Sequence, residues 1–243
     1  DGEPANVRIL DSEGTEVASL SLTARSGMNR LAWDLRKRSS DSEGGGFSPG
    51  GGLVLPGEYQ VDVTVGGQTS FSPLSVRPDP RIRISPEDRR AKVRALEEVE
   101  VWVGLSREAE RRLEEALSGV EQVLADLEAG EDEEVRGAGD TLKVTLEGSL
   151  ERLFTGPSCQ GICGGDPLAD TIRRPLFLLG SSKAAPSPND RLAMEQAQEA
   201  LDRVLEEVNR ILSQEVAPFR ELLLDRGYTP LPSLDPLQMP AGG

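Results

Sequence analysis

Apolar residues alternate with polar ones along the first third of the chain, and then the period changes. Val7 and Ile9 run into the turn Asp11-Ser12-Glu13-Gly14, and Thr15–Leu22 climbs back from it. Leu31, Trp33 and Leu35 alternate next, then Tyr59, Val61, Val63 and Val65. Gly66-Gly67 is a tight hairpin signal, followed by Phe71, Leu74 and Val76. Period-two spacing broken by turns predicts antiparallel strands with one buried face, closed as a small sandwich over residues 1–84. Ser39–Gly52, rich in glycine and serine, reads as a surface loop.

Arg77-Pro78-Asp79-Pro80 is a stiff hinge, because each proline pushes its preceding residue toward extended geometry. Beyond it the apolar period lies between three and four. Ser85-Pro86-Glu87-Asp88 is a helix start, with a hydroxyl N-cap, proline at the first helical position and carboxylates in the first turn. Ser187-Pro188-Asn189-Asp190 repeats the device. The first long helix is expected to reach about Ala129, with Val93, Leu96, Val99, Val103, Leu113, Ala116, Val120, Val123 and Leu127 on one stripe. The last carries Met194, Ala197, Leu201, Val204, Leu205, Val208, Ile211 and Leu212, and Pro218 is expected to kink or end it. Leu142, Leu146, Leu150 and Leu153 mark a third helix, and Pro175–Leu179 a short fourth. Stripes this wide need covering, which predicts a helical bundle over residues 85–227. The fold class is therefore α+β and multidomain, with a boundary near Pro78–Ser85 and an extended, proline-rich tail at 228–243.

Charge sharpens this division. The net charge is −15 over 243 residues. Residues 1–84 hold nine basic and eleven acidic side chains, so most of the excess lies in the helical region. A surface this negative repels nucleic acid and anionic lipid, and neither is an expected ligand. The longest apolar run, Leu176–Leu179, is far below the ~20 residues that span a bilayer. Neither a transmembrane helix nor a signal peptide is expected. Asp1 in place of Met reads as a processed chain or the tail of a longer one. The chain holds no histidine. That removes Ser-His and Cys-His nucleophile pairs, imidazole metal ligands and the side chain best poised for proton transfer near neutrality. No catalytic residue, cofactor or metal site is expected.

Val7-Arg8-Ile9-Leu10-Asp11, Gly27-Met28-Asn29-Arg30-Leu31-Ala32-Trp33-Asp34-Leu35-Arg36 and Leu55-Pro56-Gly57-Glu58-Tyr59 resemble an Ig-like module. That module occurs in the flagellar hook-capping protein and at the C-terminal end of many bacterial secreted proteins. With Val76-Arg77-Pro78-Asp79-Pro80-Arg81 and the helices that follow, the chain is similar to the C-terminal region of bacterial sortilin-type, sialidase-like β-propeller proteins. The resemblance covers roughly residues 5–84, and the helices only by layout. The hook-capping version usually has glycine after Trp-Asp, whereas Leu35 stands here, nearer the propeller-associated variant. The propeller itself is absent, so no residue inherits its chemistry. The resemblance implies an Ig-like sandwich, a periplasmic or secreted bacterial setting, and an auxiliary, adhesive or structural role.

An exported setting favours a local disulfide between Cys159 and Cys163, in the glycine-rich loop between helices. Two free thiols are the alternative, and two thiols without histidine complete no structural zinc site. Trp33 and Tyr59 offer faces to a sugar ring, but both sit in phase with the apolar positions and are expected in the core. Trp102 is expected between helices. Asp11, Glu13 and Glu16 read as a polar hairpin turn before a calcium site. Glu131-Asp132-Glu133-Glu134 reads as a solvated loop, with an electrostatic docking patch second. The basic trio Arg36-Lys37-Arg38 is too short to assign.

The tail carries Leu231, Leu234, Leu237 and Met239 among four prolines. It forms no helix, and ordering it needs a groove on this chain or on a partner; an extended proline–leucine strip is a common docking form. The leading expectation is a non-catalytic, extracytoplasmic assembly subunit that binds other proteins by its sandwich edge, helical surface or tail. An auxiliary module of a larger secreted propeller hydrolase comes second, and carbohydrate binding by the sandwich third.

Overall fold

The computed structural model describes residues 2–37, 52–127, 132–156, 167–229, 231–232 and 235–239. They form a four-stranded antiparallel sheet followed by helices, a mixed α+β chain. Its contacts divide it into two compact units: Asp1–Leu96 with Lys183–Ala185, and Glu97–Ser182 with Pro186–Gly243. The change of secondary structure falls at the proline hinge, while the division falls at Leu96, because Ala95 is buried and the opening of the first long helix packs with the sheet unit.

In the sheet unit, β1 (Glu3–Leu10), β2 (Glu16–Ala24), β3 (Gly57–Val65) and β4 (Gln68–Val76) lie in the order β2-β1-β3-β4. Two hairpins supply the outer pairs, and β1 joins them by pairing Ile9 with Val61 and Val7 with Val63. The Asp11 carboxylate fixes the first hairpin by accepting from the backbone N–H of Glu13 and of Thr15, both at 2.9 Å. The expected polar turn explains this aspartate without an ion. Alternation puts Ile9, Ala18 and Val61 on one face, and the core there consists of Ile9, Val17, Ala18 and Val54. Leu20, Trp33, Tyr59, Val61 and Val76 pack against it half-buried. The opposite face is polar: buried Asp62 accepts from Gln60 at 2.7 Å and pairs with Arg8 at 3.3 Å.

One expectation fails here. Leu31, Trp33 and Leu35 alternate but form no strand; only an isolated bridge joins Arg36 to Leu53. The physical reason is Leu35, whose φ of 63° turns the backbone out of any extended ladder. One sheet is seen among the described residues, and a second sheet, as the expected sandwich needs, is not seen among them.

The helical unit is built on α1 (Pro86–Asp126), α2 (Glu133–Leu150), α3 (Leu168–Ser181), α4 (Pro188–Ile211) and α5 (Ala217–Asp225). Ser85 Oγ accepts from the Asp88 N–H at 3.0 Å, and Ser187 with Asp190 forms a full capping box, so both serine–proline starts cap as expected. Val99, Leu113, Val120, Leu146, Leu201, Val204, Val208 and Ile211 are all fully enclosed, and Trp102 is buried among them. Gly139 lets α2 approach closely, since a Cβ there would meet Leu124 at 2.9 Å and Phe219 at 3.3 Å. No helix among the described residues is long and apolar enough to cross a membrane.

The third and fourth helices differ from the sequence reading. The short helix expected at Pro175 runs the length of α3 with Pro175 inside it, because Ala169, Ile172, Pro175 and Leu179 make one buried stripe against α4. The acidic run expected as loop opens α2 instead. Asp132 is its N-cap, accepting from the Val135 N–H at 3.2 Å, and Glu133 and Glu134 complement the helix dipole in the first turn. Glu131 lies outside the described residues. α2 ends in a π-helical turn, Glu151–Thr155. A second π-helical turn, Leu212–Val216, carries α4 into α5 just ahead of Pro218, so the helix neither stops nor breaks there. A proline ring crowds the carbonyl four residues back, and the wider π turn gives it room.

Candidate functional site

Two surfaces, one in each unit, are the candidates. The first is built from the segment that the sequence suggested as a strand. Asn29 staples its entry, accepting from the Arg25 N–H at 3.0 Å and donating to the Arg25 carbonyl at 2.8 Å around Gly27, whose φ is 95°. Trp33 turns toward the sheet core and meets Tyr59 edge to face, ring centroids 6.1 Å apart. Both polar handles are used internally. Trp33 Nε1 donates to the Arg36 carbonyl at 3.0 Å, and the Tyr59 hydroxyl donates to the Leu55 carbonyl at 2.7 Å. Burial raises the Tyr59 pKa from its ordinary value. These two rings therefore present no open stacking platform.

The same segment pushes aliphatic side chains the other way. Met28 is 101% exposed, and Leu31, Leu35 and the bridged Leu53 are exposed as well. Asp34 holds the bend by accepting from the Arg36 N–H at 3.1 Å, and the Leu35 carbonyl accepts from the Val54 N–H at 2.8 Å. Leu35 is thus pinned from both sides in a left-handed conformation that favours glycine, with its side chain in solvent. An aliphatic residue held in strained backbone at a surface marks a position over-determined by its surroundings.

The second surface is the seat of the tail, all of it within the helical unit. Leu231 and Leu237 are buried. Leu231 lies over Gly119 of α1, where a Cβ would meet its Cδ2 and, among the described residues, no other side chain. Asn209 of α4 grips the tail main chain at both ends of its amide: Nδ2 donates to the Leu237 carbonyl at 2.8 Å, and Oδ1 accepts from the Leu237 N–H at 2.8 Å. Arg220 Nε donates to the Leu231 carbonyl at 2.9 Å, and Arg112 donates to the Asp235 carbonyl. Arg112 is aimed by Glu108, which bonds Arg111 and Arg112 together. Hydrogen bonds from Arg111 first, and then from Arg112, lower the Glu108 pKa to about 2. At the tail's base, Arg226 bonds Asp132 at 2.9 Å and also Glu134.

Of the four tail residues singled out by sequence, Leu231 and Leu237 reach the groove, Met239 is half-buried and Leu234 lies outside the described residues. In this structure the described part of the tail lies on the chain's own helical unit. Cys159 and Cys163 also lie outside the described residues. The groove residues Gly119, Asn209, Arg112 and Arg220 carried no sequence signal, since each is far along the chain from the tail contact it makes. No protein-family model, curated protein or solved structure matches this chain.

Proposed function

We propose that this chain is a non-catalytic, extracytoplasmic assembly subunit that binds other proteins through the aliphatic strip Met28, Leu31, Leu35 and Leu53. The observation that carries this reading is Leu35. Its φ of 63° costs stability that a glycine would not, and its side chain, 41% exposed, is left incompletely covered by the fold. A protein interface that buries the strip completes that cover. Two further points support the Ig-like, exported reading. The position with left-handed backbone is the one where the hook-capping module has glycine. The Tyr59 hydroxyl bond back to the Leu55 carbonyl resembles the tyrosine corner of Ig-like sandwiches.

Those supports also favour a second reading, an auxiliary module working beside a propeller domain of a secreted hydrolase. Carbohydrate binding ranks lowest, because Trp33 and Tyr59 face the core. The test of the leading reading is Leu35→Gly in the chain purified with its native partners by crosslinking. The variant should be more stable and should lose the crosslinked partner. A more stable variant that keeps every partner would remove Leu35 from the interface and sink the proposal.

A further inference from the structure

We infer that the tail and its groove are an exchangeable pair, through which one copy of this chain docks onto a second. This concerns a different surface from the strip around Leu35 and stands or falls separately.

Three features point to exchange. The groove reads main chain rather than side chain: Asn209, Arg220 and Arg112 all bond backbone atoms of the tail, at Leu237, Leu231 and Asp235. Such contacts are remade unchanged by the same segment arriving from elsewhere. Among the described tail residues Leu231 and Leu237 are buried and Met239 half-buried, while Pro232, Asp235 and Pro236 are exposed, so the described part of the tail gives up few buried side chains on release. The tail also leaves α5 through Gly227, whose φ of 79° ends the helix, with Gly227 N–H on the Leu224 carbonyl at 3.1 Å and Tyr228 N–H on the Leu223 carbonyl at 2.9 Å. Altering this short exit redirects the tail without disturbing the helix behind it.

The occupant is a second copy, because the segment seen to fit Gly119 and Asn209 is one that every copy carries. Exchange of an identical element between protomers needs no new complementarity. The closed form prevails when copies are dilute, since a short linker gives the resident tail an effective concentration on the order of millimolar. Copies held close together reach that value, and the pairing then passes between chains.

Two full-length variants test this. Gly119→Leu puts a whole side chain where Leu231 sits, more than a turn of the flexible Leu231 side chain can clear, and is the variant made to expel the tail; a leucine suits the helix that carries it. Leu231→Asp with Leu237→Asp disables the tail and leaves the groove open. Each alone should sediment as a monomer, and their mixture as a one-to-one complex that Asn209→Ala in the second chain abolishes. A mixture that stays monomeric, with both chains giving the wild-type helical circular dichroism, overturns the inference. A second measurement needs no variant. Wild-type chain concentrated to roughly millimolar should dimerise, and a synthetic peptide of residues 228–239 should return it to monomer. Absence of a dimer, or a dimer indifferent to the peptide, overturns it as well.

Discussion

The two units solve the problem of burial differently. In the helical unit, Leu113, Leu146, Leu201, Val204, Val208 and Ile211 are wholly enclosed, and even its tail is folded back to cover α1 and α4. Among the described residues the sheet unit buries Ala5, Val7, Ile9, Val17, Ala18, Val54 and Ala95, most of them small, and Leu20, Val61 and Val76 remain half-buried around them. A helix with an apolar stripe finds cover in its neighbouring helices, since each stripe faces another. A single four-stranded sheet has a whole apolar face to cover, and here one bent segment with Trp33 does part of that work. The comparison teaches where each unit holds its reserve: the bundle in side-chain packing, the sheet in a few residues and their turns.

The largest effect should follow from emptying the bundle's centre. Leu201→Ala is expected to cost about 2–5 kcal/mol, read as loss of amide-exchange protection across α3 and α4 with the sheet strands unchanged. Equal loss in the strands would abolish the distinction between units. Ile9→Ala in the thin sheet core should fall near the low end, about 2 kcal/mol, because half-buried neighbours can close over the space. Leu35→Gly should raise the sheet unit's stability by about 1 kcal/mol in denaturant unfolding, by relieving a left-handed leucine. No gain would mean that the bend itself, rather than the leucine, is strained.

Acid supplies the gentlest probe. Arg111 and Arg112 hold Glu108 at about 2, against an ordinary 4.5, and the hydrogen bond from Arg210 likewise lowers Glu207. A depressed carboxylate stabilises fully above its unfolded value, and that stability is lost as pH falls toward the folded one. The helical unit should therefore weaken progressively between pH about 4.5 and about 2, by a small amount because Glu108 is partly solvated. Glu108→Gln should flatten that portion of the acid titration.

What could be read from the sequence was local. Asp11–Gly14, Gly66-Gly67, Ser85-Pro86 and Ser187-Pro188 each announce a turn or cap within a few residues, and each forms as written. What was misread depended on backbone angle or on distant partners. Leu31, Trp33 and Leu35 have the spacing of a strand, and nothing in that spacing shows that Leu35 turns left-handed. Pro175 looked like an end and proved a buried member of α3's stripe, while Pro218 was absorbed by a π turn. Asn209 looks like an ordinary polar residue beside Val208 until the tail arrives beneath it from 28 positions away.

The way the tail is gripped has a consequence for the surroundings in which it can let go. Its fasteners are an amide, two guanidinium groups and backbone carbonyls, and Glu108, the carboxylate bonded to Arg112, stays ionised down to about pH 2. The chain has no histidine to add a proton-driven trigger. Passage between a neutral and a mildly acidic environment therefore leaves the fastening as it was. Crowding at a surface, which raises the local density of copies without altering any proton equilibrium, is the change this latch is built to notice.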